Sequence, residues 1–232
     1  MIFVYVAGII AVLLIMLFTS RTRVSQQYKK FTKINNSQGI NGAQVANYII
    51  QKENLNLELA QNKEDLCDAY YYKEKMLLMS SKVCENPSIA SVAIVCHELG
   101  HATQDKEQTV LWKINHFLRA LTRFTNRLIV PLLVFGLVSY ATRWPQEGFG
   151  AYMVITAGIL FLAHALAKLT IIPLEFDASK RAVRLIKKYN LLTPKELRRS
   201  RGLLNTAGQT YIVALFDDIT LFTRKLFRKI FR

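Results

Sequence analysis

The sequence predicts a mainly α-helical membrane protein with about three transmembrane helices and a small β-sheet. Three observations lead there. Apolar residues make up 51% of the 232, yet the net charge is +15. That combination separates greasy blocks from basic ones, as in chains that cross a bilayer. Three such blocks exist: "IFVYVAGIIAVLLIMLF" at 2–18, "LIVPLLVFGLVSYAT" at 128–142 and "GAYMVITAGILFLAHALAKLTIIP" at 150–173, the last interrupted only by His164 and Lys168. A buried soluble hairpin is the alternative, but three such blocks in a small chain are hard to bury without lipid. The third observation is a helical run that ends in "HELGH" at 97–101.

Block 2–18 lacks a basic leading region, and "FTSRTR" follows it instead of a small-x-small cleavage site, so it reads as a retained anchor rather than a signal peptide. After a polar stretch comes a turn, "NNSQGING" at 35–42, and then an amphipathic helix, "AQVANYIIQKEN" at 43–54. Leu55, Leu57 and Leu59 alternate with Asn56 and Glu58, which predicts a half-buried strand over 55–60. "KMLLMS" at 75–80 predicts a second strand, with "CDAYYYKEK" as the connection and Tyr70, Tyr71 and Tyr72 packing against strands. Asn86 suits a helix cap and Pro87 a first turn, so a helix runs from there to about residue 104. "WKINHFLRALTRFTNR" at 112–127 is an amphipathic lead-in to the membrane, and Arg119, Arg123 and Arg127 share one face toward headgroups. The blocks at 128–142 and 150–173 then form a hairpin around the loop "RWPQEGF". Trp144, Tyr140 and Tyr152 suit an aromatic belt at the membrane surface.

Charge orients these spans. Residues 20–127 hold 15 Lys+Arg against 10 Asp+Glu, a net of +5, and residues 180–232 hold 14 against 3, a net of +11. The hairpin loop has one Arg and one Glu, a net of zero. Positive segments stay cytoplasmic. The amino terminus and the loop 143–149 therefore belong outside, with 20–127 and 174–232 inside. The basic tail has no aromatic-interleaved binding motif, so anionic lipid headgroups explain it better than nucleic acid does. Cys67, Cys84 and Cys96 form no C-x-x-C pair, and an odd count on a cytoplasmic face argues for free thiols.

The chemistry concentrates in "SVAIVCHELGHATQDKE" at 91–107. On a helix, His97 and His101 lie one turn apart on the same face, so both imidazoles can reach one ion. Zinc accepts imidazole nitrogen and takes about four ligands in a tetrahedron. Glu98 is rotated by about 100° from His97 around the axis. There it reaches a zinc-bound water without being a ligand, the arrangement of a metalloprotease general base. Two histidines on a solvated polar helix are the bland alternative. The apolar run "PSIASVAIVC" just before them argues for a buried helix. A third ligand has to come from elsewhere. Gln104 stands where a third-histidine extension of the motif requires Gly, His116 reads as interfacial, and His164 lies within a span. That leaves Glu175 and Asp177 in "PLEFDASKRA" at 173–182, on the same side of the membrane. On a helix two residues apart they face differently, so at most one is a direct ligand.

"HELGHATQ", a two-span hairpin and "PLEFDASKRA", with "KFTKINNSQGINGAQVA" near the start and "LLNTAGQTYIVAL" near the end, resemble the bacterial membrane-bound neutral zinc metallopeptidases of zinc peptidase family 2, the YugP-like proteins. The resemblance covers most of the chain and extends distantly to the HtpX-like and CAAX-prenyl endopeptidases. It implies a zincin-like catalytic core, an H-E-x-x-H helix with a small β-sheet. It also implies one Zn2+ per chain held by His97, His101 and Glu175, with Glu98 as general base. Two positions depart from those relatives: Ser179 replaces the Asp of their E-x-x-x-D pattern, and Ala69 replaces the His of an Asp-His-Tyr stretch. The implied activity is hydrolysis of peptide bonds in protein or peptide substrates, membrane proteins among them. The expected organisation is an anchor at 1–19, a catalytic region at 20–127, a two-span hairpin at 128–173 and a basic helical region at 174–232 that brings the third ligand. The expected location is the cell membrane, multi-pass, with the active site cytoplasmic, lipids as further partners and no nucleic acid. The rival reading is a noncatalytic metal-binding or basic lipid-interacting membrane protein.

Overall fold

The structure, a computed structural model, describes residues 29–64 and 67–204, apart from the side chain of Asn126. The block at 2–18 and most of "LLNTAGQTYIVAL" lie outside the described residues. The chain forms two compact units, one made of the residues up to Thr109 and from Glu175 onward, the other of Val110–Leu174.

In the first unit, α1 (Gly42–Lys52) starts at the predicted turn. Asn41 caps it, and Gln44 bonds back to the Asn41 amide, closing a capping box. Val45, Ala46 and Ile49 form its buried face. Asn54 ends it with φ of +48°, a left-handed value that Asn tolerates.

Three short strands follow: β1 (Glu58–Asn62), β2 (Ala69–Tyr71) and β3 (Met76–Ser80), in the order β1-β3-β2. β1 runs parallel to β3 and β2 antiparallel to it. The first strand begins at Glu58 rather than Leu55, because Leu55 leaves α1 and is buried before the strand starts. The segment expected to be a plain connection supplies β2. In β3, Leu77 and Met79 are buried, the period-two pattern of a strand with one covered face.

Ser80 closes β3 and caps the short α2 (Ser81–Glu85). Asp68 anchors that corner by accepting from the Ser80 amide at 2.7 Å. The next helix, α3 (Ile89–Lys106), starts two residues later than the sequence suggested. Asn86 ends α2 and spends its side chain on the Thr32 carbonyl, while the Pro87 carbonyl accepts from Asn36. Ser88 is the cap instead, accepting from the Ser91 amide.

The apolar run of α3 is the centre of the core. Ile89, Val92, Val95, Cys96 and Leu99 are fully buried against α1, β3 and the inner face of α6 (Ile171–Lys188). α6 approaches at Gly100, where an added Cβ would lie 2.6 Å from the Ala178 carbonyl oxygen. A helix over 194–204 adds Leu197, Leu203 and Leu204 to the same core. Cys84 and Cys96 are buried free thiols and Cys67 a half-buried one.

The second unit is a helical hairpin. The lead-in and the span at 128–142 form one continuous helix, α4 (Val110–Thr142), and α5 (Phe149–Leu169) returns. The two backbones come close at Gly150, where a Cβ would meet the Tyr140 amide nitrogen at 2.2 Å. Phe135, Leu137, Val138, Ile155, Ile159 and Leu162 are large, apolar and exposed. An exposed apolar surface of that extent marks contact with something other than water. Among the described residues, two helical stretches, Val110–Thr142 and Phe149–Lys188, are long and apolar enough to cross a membrane. His164 is buried within the hairpin, with its Nδ1 3.1 Å from the Thr125 hydroxyl, and His116 is exposed.

Candidate metal centre

His97 and His101 project from the same face of α3, and Glu175 meets them from α6. Glu175 Oε2 lies 3.1 Å from His97 Nε2 and 3.4 Å from His101 Nε2. All three side chains are buried, and one donor atom from each lies within 4.8 Å of the others. Asp177, the other carboxylate the sequence offered, is not in this cluster and turns toward Gln104 and Arg181.

The far side of each ring is also bonded. His97 Nδ1 is 3.3 Å from the Ser179 hydroxyl, whose own proton goes to the Leu204 carbonyl at 3.1 Å. Ser179 therefore accepts from His97 Nδ1–H. His101 Nδ1 is 3.0 Å from Gln104 Oε1, an atom that only accepts. Both rings are thus held at Nδ1, which donates to those oxygens, and turn Nε2 toward Glu175. Two imidazole nitrogens and a carboxylate oxygen, with ring orientation fixed from behind, are a donor set that suits zinc.

The electrostatics couple the three groups. Burial alone would raise the Glu175 carboxyl, but hydrogen bonds from His101 and His97 bring it down to about 2. Burial alone would lower His101, but Glu175 holds it up at about 9.

Glu98 stands beside this cluster, half-buried and outside the donor set. Burial pushes its carboxyl up, opposed by the two histidines. The backbone of β2 fixes it: the Tyr70 N–H donates to Glu98 Oε2 at 2.9 Å. β2 is in turn tied to α3, where the Tyr70 hydroxyl and Lys75 both donate to Asp105 at 2.5 Å.

The Tyr70 contact was missed from sequence because a backbone N–H leaves no residue-type signal. Gln104 was noted only as a departure from another motif. Its place three residues after His101 on a buried helix was the available cue.

Comparison with known proteins points to a zinc peptidase family. A family model described as "Putative neutral zinc metallopeptidase" matches residues 5–229. The "Putative membrane protease YugP" of Bacillus subtilis (strain 168) is 27% identical over 216 residues, covering 92% of this chain and 91% of that protein. No solved structure matches the chain. With its family match running over nearly its whole length, the chain belongs to this neutral zinc metallopeptidase family.

Proposed function

We propose that the protein is a membrane-bound, zinc-dependent endopeptidase. His97, His101 and Glu175 hold one zinc ion per chain, and Glu98 is the general base. The observation that carries this reading is the position of Glu98: beside the three donor atoms, not among them, and anchored by the Tyr70 N–H. Zinc bound there supplies a polarised scissile carbonyl and a water whose proton is lost near neutral pH. Glu98 takes that proton and returns it to the leaving amine, and its partial burial keeps it basic enough for the exchange. The Tyr70 amide occupies one carboxylate oxygen of Glu98 and leaves the other for that proton. Ser179 and Gln104 hold the rings, and Glu175 neutralises part of the charge.

A peptide substrate adds to the sheet as an extended strand. β3 is paired on both sides and has no edge to offer, whereas β1 and β2 are both edges. β2 is an edge strand and already reaches Glu98, so we assign the substrate to that edge. Residues 20–127 and 174–232 then form the catalytic part, the hairpin at 128–173 with the anchor at 1–19 hold it in the cell membrane, and the site faces the cytoplasm. Anionic lipids contact the basic segments.

The test uses the full chain purified in detergent, with zinc measured by elemental analysis beside cleavage of casein. Glu98→Gln is expected to keep zinc and lose about 10²–10⁴ in rate. His97→Ala is expected to lose both zinc and cleavage. Turnover near that of the wild type in Glu98→Gln overturns the mechanism.

A further inference from the structure

Gln104 is fully buried, one turn past His101 on α3, and the mechanism above uses only the end of its amide that holds the ring. A buried primary amide is costly unless both of its ends are bonded. Both are, and the two partners differ in kind. Nε2 donates to Asp177 Oδ2 at 2.8 Å, and Oε1 lies 3.0 Å from His101 Nδ1. A carboxylate only accepts, so Asp177 dictates which end of the amide faces it. The amide oxygen is left for the ring, and an oxygen there requires a proton on Nδ1. With Nδ1 holding its proton, Nε2 is the atom that offers a lone pair to an ion once the proton it shares with Glu175 is displaced. Were the amide reversed, its NH2 would face Nδ1, favour the other tautomer, and place a proton on Nε2 where an ion has to bind. Asp177 cannot turn away freely, because Arg181 Nε binds the same oxygen at 2.7 Å. Arg181 is itself held by Glu107 Oε2 at 2.8 Å.

We infer that Gln104 is a positioning residue for the metal site: Arg181 fixes Asp177, Asp177 fixes the direction of the Gln104 amide, and the amide fixes the tautomer of His101. The inference rests on the zinc reading above. It gives Asp177 a role two hydrogen bonds removed from the ligand His101. It also makes the donor-to-acceptor direction of the chain matter, not only its packing.

The full chain in detergent is loaded with zinc and challenged with graded EDTA, and parallel samples carry Co2+ for its ligand-field spectrum. Q104L keeps most of the volume and removes both bonds. It is expected to release zinc at roughly 10–100-fold lower chelator and to alter the cobalt bands. D177N leaves Gln104 in place but lets the amide point either way, and it too is expected to release zinc early. The pair Q104E with D177N restores an acceptor toward His101 and a donor toward that acceptor, and is expected to recover most of the retention. A side chain that merely fills space would not be rescued this way. Wild-type retention in Q104L overturns the inference, as does a double variant no better than Q104L. The unfolding temperature of each metal-free variant is measured alongside. If Q104L does not fold, D177N decides, and wild-type retention there overturns the inference. Wild-type protein that takes up no zinc, or H97A that keeps it, overturns the peptidase reading instead.

Discussion

Glu175 and Asp177 sit two residues apart on α6, and their surroundings separate them. Glu175 Oε2 lies within 3.4 Å of both imidazoles, whereas Asp177 bonds Gln104 and Arg181. Glu175→Ala is expected to lose zinc outright, and Asp177→Ala to lose about 10–100-fold in affinity. A graded chelator challenge on both proteins checks this, and the reverse order means the roles must be exchanged. The same residues set a pH dependence. Without metal, His101 titrates at about 9 and is protonated at pH 7, while Glu175, at about 2, is ionised. The raised His101 stabilises the metal-free fold fully below its ordinary value of 6.5 and loses that contribution as pH rises through about 9. The depressed Glu175 contributes above 4.5 and loses its contribution as pH falls through about 2. Metal has to expel the His101 proton, so affinity is expected to rise from pH 7 toward 9 and then level off. Chelator competition across that range, beside unfolding of the metal-free protein, is expected to show the two moving in opposite directions. At this scale much was legible. His97, His101 and Glu98 stand out because helical spacing alone puts them around one point. Glu175 and Asp177 could be narrowed to a pair by their chemistry. The bonds of Gln104 were not legible, because the direction of its amide is set by Asp177, on a helix more than seventy residues away.

The elements owe their placement to close approaches that composition only hints at. The sequence marks Gly100 as small; the structure shows why, with the Ala178 carbonyl 2.6 Å from where its Cβ would be. Backbone cannot retreat as a flexible side chain can, so Gly100→Ala has to push α6 away from α3. The expected cost is about 1–3 kcal/mol. Since Glu175 rides on α6, zinc retention is expected to fall in the same variant. Thermal unfolding with and without metal checks both effects, and an unchanged protein means that α6 moves more freely than the packing implies. α1 was readable because its apolar stripe and its Asn41 cap are local features. β2 and the start of α3 were not, because distant partners decide them. Three residues of β2 become a strand by pairing with β3 and anchoring Glu98. Asn86, a good cap in isolation, is drawn to the Thr32 carbonyl, and the role passes to Ser88.

At the scale of the whole molecule, function depends on which side of the membrane the site occupies, and charge is the available guide. The hairpin loop at 143–149 is neutral, while the segments before and after the hairpin carry +5 and +11. Moving a basic segment across a bilayer is disfavoured, and the proposed topology, with both flanks in the cytoplasm and the loop outside, rests on that pattern. The apolar side chains exposed along α4 and α5, Phe135, Val138, Ile155 and Leu162 among them, are consistent with lipid contact. His97 precedes the hairpin and Glu175 follows it. An even number of crossings between them is therefore a condition for their meeting at one site, and a two-span hairpin satisfies it. The parity does not say which side the pair occupies; only the charge argument does. Single cysteines at Gln146 and at Lys187, an exposed position on α6, separate the two outcomes when placed in a Cys67→Ser background. In intact cells an impermeant maleimide is expected to label the first and leave the second until the membrane is opened. Labelling at Lys187 alone would put the peptidase on the outer face. It would also mean that the Lys and Arg residues of the tail do not control how the chain inserts.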